Sequence, residues 1–302
     1  MVQLPITEPS AVAIRRVHAV VNPASGGVGP GAAQELAAFF GELGLDHRIS
    51  ELTPEASQDT LRAAIDAGPD LLVVLGGDGT ARLVAEMCGP RGPLVAPLSG
   101  GTMNKLGRAL YGARPWREAL LEALERGAPR WMAGGEVGGR SFYCGAVLGS
   151  PALLAPAREA IRAHDLRRAW RRAVIASRKA FVSRLSYDLE GEVGQATAVS
   201  FICPTVSPGQ EGQAALKAAV LDPPDADPDA RTGVRLAISH LSGDWRDDPE
   251  FTMPCLSGRA WARSPIPIML DGEFFRLGRE VDIGFCPHAF RALALPPEDE
   301  GV

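Results

Sequence analysis

Apolar and polar positions follow two different periods along the first third of the chain. Val17 to Val21 is a short unbroken apolar run ending at the turn-forming pair Asn22-Pro23, which predicts a strand that leaves into a loop. From Pro30 to Leu43 the apolar residues Leu36, Phe39, Phe40 and Leu43 recur at helical spacing. Asp46 to Leu52 then reads as a second strand, and Pro54 to Ala67 as a helix capped near Thr53. Asp70 to Leu75 is wholly apolar after its first residue, the mark of a strand buried on both faces. A helix is expected from the Gly76 to Thr80 break to Cys88, and a fourth strand from Leu94 to Leu98. Strands alternating with helices predict a mostly parallel α/β sheet.

Beyond about residue 130 the helical period fades. Short β-rich runs near 131–137, 140–148, 185–190, 195–203, 233–240, 251–256, 258–264, 266–270 and 281–286 are separated by Gly, Pro and Asp. They predict a largely antiparallel β domain over 131–287, following an α/β domain over 1–130. The tail, about 288–302, is expected to pack back on the first domain. Leu221 to Thr232, with three prolines and four aspartates, reads as a loop, and no internal repeat is visible.

Composition narrows the function classes. The 302 residues are 46% hydrophobic with a formal net charge of −5, so no global positive field would attract nucleic acid. Five cysteines, odd in number and without any Cys-x-x-Cys, argue for reduced thiols and a cytoplasmic protein rather than a disulfide or zinc framework. The apolar runs are far shorter than the ~20 residues of a spanning helix, so membrane contact would be peripheral, at the inner face. Arg158 to Arg184 supports that contact: eight arginines and Lys179 stand against Glu159 and Asp165, interleaved with Trp170 and Phe181. A surface helix with a solvated basic face explains the same stretch. The histidines show no metal-ligand spacing, and neither a Gly-x-Ser-x-Gly elbow nor a Walker-type loop occurs.

The candidate chemistry lies in three glycine-rich loops that follow predicted strands. Gly76-Gly77-Asp78-Gly79-Thr80 comes directly after the buried strand and opens a helix, where main chain can approach an anion and unpaired amides face it. An aspartate beside phosphate suggests a divalent cation between them. Asn22-Pro23-Ala24-Ser25-Gly26-Gly27 follows the first strand and Gly100-Gly101-Thr102-Met103-Asn104 the fourth. Each is an ordinary turn sequence by itself, but together they mark the carboxyl edge of an open sheet, where ligands bind. A further triplet, Asp271-Gly272-Glu273, follows the apolar run Ile266 to Leu270; Asp-Gly is also a common hairpin turn.

The order Asn-Pro-x-Ser-Gly, Gly-Gly-Asp-Gly-Thr, Gly-Thr-x-Asn resembles the diacylglycerol kinase catalytic-domain family, which includes bacterial lipid kinases and sphingosine kinases. The resemblance is good over roughly 17 to 112 and looser beyond. It implies an α/β nucleotide-binding domain paired with an antiparallel β-sandwich domain, and ATP and Mg²⁺, with Asn22, Ser25, Gly26, Gly76, Gly77, Asp78, Gly79, Thr80, Gly101, Thr102 and Asn104 around the nucleotide. Asp78 would be at the metal, Asp271 would take the proton from a lipid hydroxyl, and Glu273 would assist it or share the metal site. The implied partners are a lipid substrate and a membrane surface, with no nucleic acid; a homodimer is compatible with the sequence. Departures exist. Ala81 and Arg82 stand where many members have an acidic residue, Gly149-Ser150-Pro151 replaces a Gly-x-Asp-Ala, and the acidic structural magnesium segment has no clean equivalent. Two rivals stay open at this stage, a kinase similar to NAD kinases, which share Gly-Gly-Asp-Gly-Thr, and a non-catalytic nucleotide- or lipid-binding relative.

Overall fold

A computed structural model of the chain describes residues 13–149, 152, 184–206, 214–221 and 252–296. The chain divides into two compact units, residues 1–132 with 288–302, and residues 133–287.

In the first unit, four parallel strands, β1 (Arg16–Val21), β2 (Asp46–Glu51), β3 (Leu71–Gly76) and β4 (Leu94–Ser99), lie in the order β2-β1-β3-β4. The end of the last strand, β16 (Glu280–Ala294), extends this sheet, with Ala292 paired in parallel to Val95 of β4. Every residue of β3 is buried, as expected of a strand covered on both faces, whereas β2 at the edge is partly exposed along its length. The connections are α1 (Ala32–Glu42), α2 (Ser57–Asp66) and α3 (Asp78–Cys88). α1 buries Leu36, Phe39 and Phe40, the stripe its sequence period marks. α2 begins at Ser57 rather than near Thr53, because the Ala56 amide bonds to the Thr53 carbonyl and forms a turn ahead of the helix.

Two helices occupy a stretch for which the sequence reading gives no element: α4 (Lys105–Tyr111) and α5 (Trp116–Arg126). α4 carries Gly107 at mid-length, which weakens its helical signature. The glycine has a packing reason: a β-carbon there would lie 2.9 Å from Ser99 Oγ and 3.0 Å from the Pro97 carbonyl oxygen, so α4 lies directly on β4.

The second unit holds two sheets. One has the order β12-β11-β10-β7-β14-β15, formed by β7 (Gly145–Gly149), β10 (Ala198–Ile202), β11 (Leu216–Leu221), β12 (Thr252–Cys255), β14 (Pro267–Leu270) and β15 (Glu273–Arg276), all antiparallel. In the other, β8 (Leu185–Leu189) pairs with β9 (Glu192–Ala196) and β13 (Ser257–Trp261), and β13 with the first part of β16. A hairpin of β5 (Ala128–Val137) and β6 (Arg140–Phe142) completes it. Ala146, Leu148, Val199, Phe201, Ile268 and Leu270 of the first sheet share one buried core with Leu185, Leu189, Ala260, Val281 and Ile283 of the second. That is a sandwich.

The structure revises several strand expectations. The run 195–203 is two strands, β9 and β10, which belong to different sheets and part at the buried Thr197. β11 and β15 are additional. The run 281–286 is part of a fifteen-residue strand that continues through the exposed Pro287 and His288. The expected strand at 233–240, the loop from Asp222 to Thr232 and the basic stretch up to Ser183 lie outside the described residues.

Candidate functional site

The order β2-β1-β3-β4 reverses direction between β1 and β3, and the carboxyl ends on either side of such a reversal form the usual ligand crevice of an open α/β sheet. The three glycine-rich loops leave from here, and they interlock. Asn22, just past β1, donates its amide to Leu75 O at 2.9 Å and its side-chain Nδ2 to Thr80 Oγ1 at 2.8 Å. Its Oδ1 accepts from the Ala24 amide at 3.1 Å, which shapes the loop. Ser25 Oγ accepts from the Gly77 amide at 3.1 Å. Gly27 donates to the Gly100 carbonyl at 3.0 Å, and Gly100 donates to the Gly76 carbonyl at 2.9 Å.

Glycine is required at the contacts. A β-carbon on Gly76 would lie 2.9 Å from Thr80 Cβ, and one on Gly101 would lie 2.6 Å from Gly77 Cα. Asn104, at φ 50 in the left-handed region that asparagine tolerates, bonds Gly101 twice: Oδ1 accepts from the Gly101 amide at 2.6 Å and Nδ2 donates to its carbonyl at 2.8 Å. Gly79 is half-buried in the first turn of α3, and Gly26 and Thr102 are exposed in their loops. The structure therefore gathers Asn22, Ser25, Gly76, Gly77, Asp78, Thr80, Gly101 and Asn104 into one network. Gly27, Gly100 and Lys105 belong to it as well. The adjoining glycines were the available signal for the first two; Lys105 takes part through its amide, which no side-chain pattern reveals.

Asp78 opens α3, but its carboxylate points to another helix: Oδ1 accepts from the Lys105 amide at 2.6 Å. Burial pushes its pKa up, and the amides of Lys105, Leu106 and Asn104 together with the Lys105 charge pull the other way. Arg82, where an acidic residue was expected from the resemblance, is buried and paired with Glu86 at 3.0 Å.

In the second unit, Asp271 and Gly272 both have positive φ, 48 and 95, and join β14 to β15 in a two-residue hairpin turn. Asp271 Oδ2 accepts from the Tyr143 amide at 2.8 Å, and Oδ1 accepts from the amides of Cys144 and Gly145, each at 2.8 Å. In return the Asp271 amide donates to Gly145 O at 2.9 Å. The carboxylate put forward as the proton acceptor is thus occupied by three main-chain donors, which hold the turn against the β6–β7 connection. Glu273, the first residue of β15, is exposed.

The first-unit network fits nucleotide phosphates. Small residues leave main chain accessible, and the start of α3 adds the positive end of a helix. The same residues do not fit a protein-built magnesium site. Asp78 is engaged by main-chain amides, and no group of three His, Cys, Asp or Glu side chains able to hold a metal occurs among the described residues.

Residues 16–137 match the family profile of the diacylglycerol kinase catalytic domain, a span that contains all three loops. No curated protein matches the sequence. Among solved structures, the chain is similar to proteins of Bacillus anthracis str. Sterne. One, described as a diacylglycerol kinase, is 17% identical with a TM-score of 0.68, covering 95% of this chain and 99% of its own. A second from the same organism has a TM-score of 0.64 at 17% identity, and a third 0.68 at 18%; they cover 94% and 95% of this chain and 99% of their own. The likeness shows the fold: an α/β domain with a mostly parallel sheet and an antiparallel β domain.

Proposed function

We propose that the chain is an ATP-dependent lipid kinase that transfers the γ-phosphate to a lipid hydroxyl. The observation that carries this reading is the interlock of three glycine-rich loops at the β1/β3 switch point, within a diacylglycerol kinase catalytic domain. The amides of the Gly76–Thr80 loop and the start of α3 would hold the phosphates, with Asn22, Ser25, Gly101 and Asn104 fixing the loop shapes. Gly26 and Thr102 complete the expected nucleotide surface. Magnesium is assigned no protein ligand here and would travel with the nucleotide phosphates.

Of the two carboxylates in Asp271-Gly272-Glu273, we assign the proton-accepting role to Glu273 and a turn-holding role to Asp271. Glu273 is exposed, whereas the Asp271 oxygens are taken by three amides. In that role Glu273 would take up the proton that the lipid hydroxyl releases as it is phosphorylated, with ADP as the leaving group. Positioning and charge supply most of the acceleration in such transfers. Among the described residues no helix is long and apolar enough to cross a membrane, and the basic stretch Arg158 to Arg184 is proposed as a peripheral membrane contact.

The test is transfer of labelled γ-phosphate from ATP to micelles holding a diacylglycerol, a sphingoid base or phosphatidylglycerol, with NAD as a soluble acceptor. Labelled lipid supports the reading and names the acceptor class. Label on NAD alone, or ATP bound with nothing labelled, overturns it in favour of the NAD kinase-like or the non-catalytic alternative.

A further inference from the structure

Asp78 is the residue whose geometry departs furthest from its expected role. It sits in the first turn of α3, yet its Oδ1 lies 2.6 Å from the Lys105 amide at the start of α4, 27 residues further along the chain. The neighbouring amides of Leu106 and Asn104 also act on it. These amides would otherwise be the unpaired donors of α4, and the residue that would normally cap them, Asn104, has turned its side chain back to Gly101. Asp78 therefore supplies from outside the cap that α4 lacks from its own sequence.

The position matters because of what lies between. α4 begins immediately after the Gly100–Asn104 loop, and that loop touches the Gly76–Thr80 loop with no room to spare, the Gly101 site abutting Gly77 Cα. Fixing the start of α4 to the start of α3 fixes the third loop against the second. A carboxylate engaged in this way is poorly placed to ligate a cation, and it belongs to no group of three His, Cys, Asp or Glu side chains able to hold a metal among the described residues.

We infer that Asp78 is a positioning residue, whose acceptor oxygen ties the start of α4 to the start of α3 and so sets the third glycine loop against the second, rather than a metal ligand. The inference rests on the nucleotide-binding reading for its effect on affinity, though not for its effect on α4.

Three substitutions separate the roles. Asp78→Ala removes the acceptor. Asp78→Asn keeps an oxygen of the same reach and removes the charge; Asp78→Glu keeps the charge and carries the oxygen one methylene too far. Two readouts are taken on the full-length protein: hydrogen exchange of the segment 104–106, with exchange in Leu71–Leu75 as the check that the sheet is folded, and ATP affinity by calorimetry without added Mg²⁺. A positioning role predicts that Ala speeds exchange at 104–106 and weakens ATP binding at least tenfold. Asn recovers both to within about fivefold of wild type, and Glu does not. A metal ligand predicts that, without Mg²⁺, all three variants bind ATP as the wild type does and exchange at 104–106 at its rate. That outcome, or Asn as impaired as Ala, overturns the inference. Should the wild type bind no ATP, the functional reading fails, and the exchange series alone decides the role of Asp78.

Discussion

Gly77 and Gly101 meet main chain to main chain: a β-carbon added at residue 101 would lie 2.6 Å from the α-carbon of Gly77. Backbone cannot give way as a flexible side chain can, so this contact fixes how closely two of the three loops approach. Gly101→Ala is expected to push the loops apart, with a stability loss on the order of 1–3 kcal/mol and a loss of ATP affinity of at least tenfold. Thermal melts and calorimetry on the variant check both. Gly29→Ala serves as the control, because a β-carbon there meets nothing within 4 Å.

Asn22 ties the first loop to α3 through Thr80 Oγ1 and folds its own turn through the Ala24 amide. Asn22→Ala removes both bonds and leaves the buried Thr80 hydroxyl without this donor. The expected cost is roughly 1–3 kcal/mol in chemical denaturation, accompanied by weaker ATP binding. Unchanged stability would mean that the loops hold together without this link.

The DGE triplet divides into two roles with opposite signatures. Asp271→Ala removes an acceptor used by three amides and should lower the unfolding free energy by about 2–4 kcal/mol. Glu273→Gln changes an exposed side chain and should leave the melting temperature within about 2 °C. Its phosphate transfer should fall on the order of 10²–10⁴-fold, the range of a lost general base. A Glu273→Gln enzyme with full turnover would remove Glu273 from the chemistry.

His18 gives the fold a pH dependence of definite sign. Its Nε2 lies 2.9 Å from Ser50 Oγ, its Nδ1 is buried without a partner, and burial, with Arg48 adding to it, holds its pKa below the usual imidazole range. The unfolded chain therefore binds a proton more readily than the folded one near the usual value of about 6.5. Stability from neutral His18 is present above that value and declines as pH falls below it, down to the folded-state pKa. Denaturant midpoints compared at about pH 7.5 and about pH 5.5 should show the decline. His18→Leu should reduce the slope over that window.

The α/β half was legible because its core strand has one reading. Leu71 to Leu75 is apolar without interruption, and only a strand covered on both faces buries all of it. The loops were legible for a related reason, since runs of Gly, Asn and Ser after each strand announce main chain that approaches something closely. Contacts made by main-chain amides were not. Nothing in the residue types at 143–145 signals that their amides hold Asp271, and nothing at Lys105 signals that its amide holds Asp78. The triplet Asp271-Gly272-Glu273 reads as turn or as chemistry, and the structure shows the turn, carried by the first two residues. β16 runs well past the expected 281–286 and passes through Pro287, a residue that removes a ladder donor.

The central claim, that the three glycine-rich loops act together as one nucleotide-phosphate cradle, is tested most directly by hydrogen exchange across residues 22–28, 76–82 and 100–106, with and without ATP. The account predicts that ATP slows exchange in all three segments at once, and that Gly101→Ala abolishes the effect in all three. Slowing confined to one segment, or none at a saturating ATP concentration, would contradict it.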